Sequence, residues 1–412
     1  MEVMYECVCG LDIHKASISA CVRRVRSGRV HAEVREFGTM TAALLSLLDW
    51  LVSERVTHVA MESTGVYWQP IYNLFEGHFE EVLVVNPRDV KQVPGRKTDV
   101  ADCQWLAHLQ QCGLLRGSLV PDRPRRELRE LTRQRSQLVH THTAVANRIH
   151  KTLDDANIKL DCVASDILGV SGRAMIRALI ADDQTIPQMA DLARQRLRKK
   201  IPELRQALQG NVTPHHRFLL AELMDQLLDL ERRIERFTTR IEEVLGPFEQ
   251  AVRQIAELPG FDVRSAQNVV AEIGTDMSRF PTAAHLASWA GLCPGHNESA
   301  GKHKSGKTRK GSRWLRAAMS QSAWAASNNK TSYFRAQFRR LAARRGRRRA
   351  IIAVAHSLLE TIFHILKTGR PYKDLGGEYF DNLDKDRIVK AATRRLERLG
   401  LKVTVTPVDH AA

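Results

Sequence analysis

No apolar run in this 412-residue chain is expected to approach the length of a bilayer-spanning helix. The opening Met1-Glu2-Val3-Met4-Tyr5-Glu6 lacks the charged-then-apolar layout of a secretory signal, so the expectation is a cytoplasmic protein without a membrane part. The seven cysteines, Cys7, Cys9, Cys21, Cys103, Cys112, Cys162 and Cys293, are odd in number and scattered, which argues against a disulfide framework and for reduced thiols, mostly in the core. Cys7-Val8-Cys9 has no second Cys or His pair at zinc-finger spacing, so no structural zinc site is expected. Acidic residues are missing from 302–349, a stretch holding 16 Lys or Arg. That one segment therefore carries nearly all of the net charge of +17, and with a pI near 9.9 the chain calls for a polyanionic partner, nucleic acid before a membrane surface.

The length, with 43% hydrophobic content, suggests two or three domains with ample core. Residues 7–13, 17–25 and 29–37 alternate or run apolar with turn residues between them and predict three antiparallel strands. A leucine-rich helix over 42–52, a strand over 56–61, a helix over 67–75 and a strand over 81–85 follow. The order β-β-β-α-β-α-β-α is that of an α/β ribonuclease-H-like nuclease core. Asp12 and Glu62 then fall at strand ends, and Asp99 and Asp102 stand three residues apart behind the loop-like Pro94-Gly95. If a helix starts at Thr98, both acids occupy its first turn. Two carboxylates so close repel one another, and a hard divalent cation such as magnesium is the natural way to keep both ionised. The alternative is that Asp99 and Asp102 only favour a helix N-terminus.

Further along, Leu128, Leu131, Leu138, Val145 and Ile149 fit a heptad seam interrupted by Arg135 and His142. Leu220, Leu223, Leu227, Leu230, Ile234, Phe237, Ile241 and Val244 form a cleaner one. These predict a central helical coiled-coil region whose seams either pack on each other or join protomers. The stretch 154–213 reads as helical with breaks at Gly169, Gly172, Pro187 and Pro202. Residues 255–274 read as helix, Pro259-Gly260 turn, helix, a helix-hairpin-helix-like element able to hold a backbone phosphate. In the basic segment, Lys302, Lys304, Lys307, Arg309, Lys310, Arg313, Arg316, Arg344, Arg345, Arg347, Arg348 and Arg349 are the candidate nucleic-acid contacts, and Trp314, Trp324, Tyr333, Phe334 and Phe338 offer core packing or base stacking. An apolar helix over 351–366 packs behind, and the tail from Pro371 is expected to be peripheral. The expected domains are thus 1–120 (nuclease), 121–250 (helical coiled coil), 251–370 (mainly α) and 371–412 (tail).

Gly10-Leu11-Asp12-Ile13-His14-Lys15, Met61-Glu62-Ser63-Thr64-Gly65 and Lys97-Thr98-Asp99-Val100-Ala101-Asp102 resemble the acidic motifs of the DEDD insertion-sequence transposases. Gly291 to Lys302, with Ser299-Ala300-Gly301-Lys302 at its end, is similar to the C-terminal motif of the same family. Ala300 stands where many members have Gly. The resemblance implies a RuvC-like N-terminal domain in which Asp12, Glu62, Asp99 and Asp102 bind two Mg2+ ions, and a C-terminal transposase domain with Ser299 as nucleophile. It further implies double-stranded donor and target DNA, a structured guide, the bridge RNA, a homo-oligomer (dimer or tetramer), and a prokaryotic cytoplasm with nucleoid association. His14 beside the first motif is read as locally hydrogen-bonded rather than as a substrate contact. Two other classes remain open from the residues alone: a junction-resolving endonuclease with the same acids and water as nucleophile, and a non-catalytic nucleic-acid scaffold.

Overall fold

The computed structural model describes residues 3–26, 28–63, 65–87, 90, 102–295, 297–299, 302–308 and 310–406, and of 297–299 and 302–305 the backbone. The chain divides into two compact units, Met1–Pro121 and Asp122–Ala412.

The first unit is built on a five-stranded sheet of β1 (Cys7–Ile13), β2 (Ser17–Arg26), β3 (Arg29–Gly38), β4 (His58–Glu62) and β5 (Glu81–Val85), in the order β3-β2-β1-β4-β5. The first three strands form an antiparallel meander, while β4 lies parallel to β1 and β5 parallel to β4. Strand boundaries predicted from alternation agree closely, except that the fourth strand begins at His58 and takes in Glu62. Arg29, Glu33, Arg35 and Glu36 charge the edge strand β3, which discourages pairing with another chain. One face of the sheet is covered by α1 (Thr41–Ser53) and α2 (Trp68–Phe75), where Cys9, Leu11, Ile13, Val59 and Met61 join Leu47, Leu51, Ile71 and Phe75 in one core. The side chains of β1 alternate, so Val8, Gly10 and Asp12 share the other face. There α3 (Asp102–Gln111) seats Cys103 and Ala107 against Val8 and Cys21.

The second unit is helical. α4 (Arg123–Asp155) and α5 (Pro214–Val244) pack against each other and share a core in which Val145, Ile149 and Leu153 meet Leu220, Met224, Leu227 and Leu230. His142 pairs with Glu231 at 3.2 Å and Asp155 with His216 at 3.1 Å, so the helices run antiparallel in constant register. The two predicted seams are therefore partners within one chain. Between them, short helices complete the same core, and two expected breaks need correction. Gly172 lies buried inside the Val170–Ala181 helix, where a Cβ would press into the carbonyl of Ile167. Pro187 and Pro202 sit in the first turns of their helices, where the missing N–H is no loss.

Then follow α6 (Glu249–Ala256), α7 (Val263–Ile273), α8 (Ala283–Trp289), the two-stranded β6 (Asn297–Ser299) and β7 (Lys302–Ser305), α9 (Arg313–Asn328), α10 (Tyr333–Arg345) and α11 (Arg347–Thr368). α11 starts earlier than predicted, at the arginine cluster. By length and composition it is apolar enough to cross a membrane, with mean hydropathy 1.5 over its most apolar stretch, which corrects the expectation that no run approaches that length. Its Ala350, Val354, Ala355, Leu358, Leu359, Ile362 and Phe363 are buried, so it is a core helix of this unit. The tail is less peripheral than expected: Tyr372 stacks on Phe334, Phe380 stacks on Tyr333, and Asp374 accepts a 2.9 Å bond from the Tyr333 amide. Two further helices, α12 (Tyr379–Leu383) and α13 (Lys385–Glu397), end the described chain.

Candidate active site and nucleic-acid interface

The geometry of the first unit's carboxylates follows from the ladder. β1 and β4 pair in parallel with Gly10 opposite Ala60 and Leu11 opposite Met61, which brings Asp12 beside Glu62 at the same end of neighbouring strands. Leu11 and Met61 point into the core under α1 and α2, so Asp12 and Glu62 both belong to the opposite face, the one α3 covers.

α3 runs against the direction of β1. Its first turn lies over Gly10, while Gln111 at its last turn accepts bonds from the Met4 and Tyr5 amides. Asp102, its first residue, therefore lies at the Asp12 end. Gly10 makes this approach possible, because any Cβ there would collide with the Cys103 carbonyl and the Ala107 amide. Burial pushes the Cys103 thiol pKa up, and the charges of Asp12 and Asp102 push it the same way. Cys21, buried beside it, is raised to about 12, so these thiols are packing groups rather than nucleophiles. His14 Nε2 stands 3.3 Å from Asp12 Oδ2, the local contact expected of it.

Of the predicted tetrad, Asp12, Glu62 and Asp102 thus come from three elements that meet at one end of one sheet face, and Asp99 lies outside the described residues. Among the described residues no three His, Cys, Asp or Glu side chains stand grouped closely enough to hold a metal ion. The donors in that corner are carboxylate oxygens, a chemistry suited to a hard divalent cation rather than to zinc or copper.

Ser299 closes β6 and pairs in register with Lys302, the first residue of β7, across a two-residue connection. The base of this hairpin is clamped. The Gly295 amide donates to the Lys307 carbonyl at 2.9 Å, and Pro294 bridges to Thr308. Gly311 presses so closely on Ala290 and Gly291 that a Cβ would overlap their backbone. Ser312, which caps α9 by accepting from the Leu315 amide, donates from Oγ to Glu272 Oε2 at 3.0 Å. Glu272 is buried, with Arg133 forked onto its two oxygens at 2.7 and 2.9 Å. Arg125 donates to the Ile273 carbonyl, and Arg129 to the carbonyls of Ala271 and Glu272, so that α4 caps the C-terminal end of α7. Burial lowers the pKa of Arg129 to about 10 despite Glu272. Arg135, which interrupts the heptad pattern, is also buried and donates to Gln267 Oε1 at 2.7 Å. No spacing in the sequence predicts this network, since its partners lie more than a hundred residues apart.

The helix-hairpin-helix reading meets a physical obstacle. Asp262 caps α7 by accepting from the Ser265 amide, and the Ala266 amide bonds the Asp262 carbonyl, so these amides are taken and an acid occupies the helix end. Gly260 is buried in a tight approach to Ser322 and Ala326 of α9.

Of the basic candidates, Lys307, Lys310 and Arg313 are exposed and Arg316 half-buried; Arg309 lies outside the described residues, and of Lys302 and Lys304 only the backbone is described. Arg344, Arg345, Arg347, Arg348 and Arg349 are all exposed. Gly346, at φ +80°, joins α10 to α11, so Arg344 and Arg345 favour the negative end of one helix while Arg347 to Arg349 oppose the positive end of the next. Three cations at a helix N-terminus are unfavourable unless an anion comes near. The aromatics mostly pack: Phe334 is buried, Tyr333 stacks within the tail, and Trp314 lies under Arg313 at 4.8 Å and Arg133 at 5.8 Å. Trp324 remains 41% exposed.

Residues 9–158 match the DEDD transposase family of the IS110 type, described as a transposase, and residues 252–339 match the family described as "Transposase IS116/IS110/IS902 family". The chain belongs to the IS110 family of transposases. It is 24% identical over 330 residues to the transposase for insertion sequence element IS1111A of Coxiella burnetii, covering 78% of this chain and 81% of that one. It is 33% identical over 120 residues to the insertion element IS110 uncharacterized 43.6 kDa protein of Streptomyces coelicolor, a match spanning 29% of each chain. The pilin gene-inverting protein of Moraxella bovis is 30% identical over 121 residues, 29% of this chain and 37% of the relative. A mixed sheet followed by a mainly helical region fits the family, and its DEDD domain suggests divalent-metal dependence.

Proposed function

We propose that this IS110-family member is a DNA recombinase that exchanges strands through a covalent serine intermediate, with a metal-binding acidic site in a ribonuclease-H-like unit and the nucleophile on the β6–β7 hairpin. The observation that carries the reading is the convergence of Asp12, Glu62 and Asp102 on one end of one sheet face, in a chain matching a DEDD transposase family. The strand order β3-β2-β1-β4-β5, with an antiparallel meander and two parallel strands, supports the ribonuclease-H-like assignment. Asp12, Glu62, Asp99 and Asp102 hold two magnesium ions, which when bound neutralise charge building on the scissile phosphate.

Ser299 Oγ attacks phosphorus, the bond to the 3′ oxygen breaks, and the hydroxyl proton lost by serine ends on that 3′ oxygen. The products are a 5′-phosphoserine and a free 3′-hydroxyl. Lys302, across the hairpin in register, favours the ionised serine oxygen and the negative charge of the transition state. The basic segment holds nucleic acid, and a structured bridge RNA pairs with donor and target DNA. Because acids and serine lie in different units, the complete site is composite and forms in a homo-oligomer. The seams of α4 and α5 pack on each other along one antiparallel register, which supports a coiled-coil description of that region.

The name of the Moraxella relative, a gene-inverting protein, favours recombination over simple cleavage. The test is a denaturing gel of the full chain with labelled donor and target DNA, guide RNA and magnesium. A covalent protein–DNA band is expected. Free nicked product instead points to a junction-resolving endonuclease with water as nucleophile, and unchanged DNA to a scaffold. Peptide mapping of the adduct should place the nucleotide on Ser299; any other residue refutes that assignment.

A further inference from the structure

Residues 330–391 enclose a cleft of about 580 Å³ between α10 and the C-terminal helices α12 and α13, reaching beyond the stretch matched by the C-terminal family. Lys330, Arg335, Arg339, Arg340 and Arg344 line one side and Arg387 the other, with the acids Asp381 and Asp384 between them. Arg340 is engaged, 3.0 Å from Asp384 and 5.1 Å over the ring of Phe380, and so fastens α10 to the tail. With that pair set aside, five basic side chains face one acid, Asp381.

A run of exposed arginines on a convex helix relaxes by spreading into water. Here the tail prevents it. The stacking of Phe380 on Tyr333 and of Tyr372 on Phe334, with the Tyr333 amide bonded to Asp374, holds a wall opposite α10. Like charges gathered in a concavity between low-dielectric walls raise the local positive potential, which an anion relieves. Ala336, Ile388 and Ala391 line the same cleft and offer apolar surface for the arginine stems, leaving the guanidinium forks free to meet phosphate oxygens. Arg335 and Arg344 are nine residues apart on one helix, about 13 Å along its axis, which is close to four nucleotide steps of a DNA strand at about 3.4 Å each. The side chains are cations without the Asn or Gln that would read a base edge, so the ligand is recognised by its backbone. Arg344 also continues directly into Arg345 and the arginines that open α11.

We propose that this cleft, with the C-terminal helices as its second wall, is a binding site for the phosphate backbone of duplex DNA, independent of base sequence. The proposal rests on the recombinase reading above. The test measures binding of the full chain to a labelled duplex by fluorescence anisotropy across a salt series. Arg339→Gln with Arg387→Gln, both exposed positions, should reduce the slope of log affinity against log salt by up to about 1.8, at about 0.9 per lost phosphate contact. Asp381→Asn, which removes the opposing charge, should tighten binding several-fold, a change in the direction that damaged folding does not produce. A wild-type chain without DNA affinity sinks the recombinase reading and this proposal together. Wild-type binding with an unchanged slope in the double variant overturns the cleft alone, as does a loss of slope on structured RNA but not on duplex DNA.

Discussion

The two units hold their proposed catalytic groups by opposite means. In the first, Asp12 and Glu62 are placed by backbone: a parallel ladder sets their register, and Gly10 lets a helix close over them. In the second, Ser299 sits on a short hairpin whose footing is held by side chains, Ser312, Glu272 and the arginines of α4. A ladder tolerates change in most of its side chains because the hydrogen bonds belong to every residue. A buried ion network does not, because removing one member leaves its partners charged and desolvated.

The largest effect should come from the reacting groups themselves. Asp12→Ala, Glu62→Ala or Asp102→Ala should lower strand transfer by more than about 100-fold, beyond what loss of an outer-shell group costs, while nucleic-acid binding by gel shift stays near normal. Ser299→Ala should form no adduct yet still assemble. Normal recombination by Asp102→Ala would dismiss the nuclease reading.

Next comes the network. Glu272→Ala strands Arg133 and Arg129 and should destabilise the second unit by about 3–5 kcal/mol, visible as a lower thermal midpoint. A midpoint within a degree of wild type would mean that the hairpin's footing is held elsewhere. On the ladder side, Gly10→Ala inserts a methyl between β1 and α3 and should cost about 1–3 kcal/mol, since the colliding atoms are backbone. It should also lower strand transfer, whereas an alanine at the open Gly306 should do neither.

Weaker still is the arginine cluster. Replacing Arg347, Arg348 and Arg349 with Ala should flatten the salt dependence of duplex binding by up to about 0.9 per lost contact and leave sequence choice unchanged. It should also slightly stabilise α11 by removing cations from its N-terminal turn.

The smallest expected effect is one of pH. Hydrogen bonding to Arg173, then to His142, holds the Glu231 carboxyl at about 2, below its ordinary value of 4.5. A depressed carboxylate adds stability above the unfolded value and loses it as pH falls through the folded one. The α4–α5 hairpin should therefore weaken between about pH 4.5 and 2, and Glu231→Gln should remove that slope in acid titrations followed by circular dichroism.

The sheet was legible because alternation is local. Cys7 to Ile13 announces a strand without reference to anything else, and an acid at its end announces a site. The long helices were legible for the same reason, since a seam repeats within a few turns. What could not be read was who satisfies whom at a distance. Arg135 looks like a flaw in the seam, yet its partner Gln267 is 132 residues away. Asp262 after Pro259-Gly260 looked like part of a phosphate turn, but its carboxylate takes the amide that a phosphate would need. The tail looked peripheral because its anchors, Tyr372 and Phe380, find their partners across α10 and not within the tail.

The antiparallel pairing of α4 and α5 also acts as a ruler. Near its root, Arg129 and Arg135 grip α7; at its tip, residues 156–208 form a cap with the helices' far ends. Some 31 residues of α5 separate tip from root, about 45 Å at 1.5 Å per residue. Residue count, not surface chemistry, therefore sets how far the cap reaches. Deleting seven residues from one helix alone would leave every later seam contact out of step, but a matched deletion from both would keep the seam and draw the cap in by about 10 Å. Across related chains, the arm's length should vary in paired heptads.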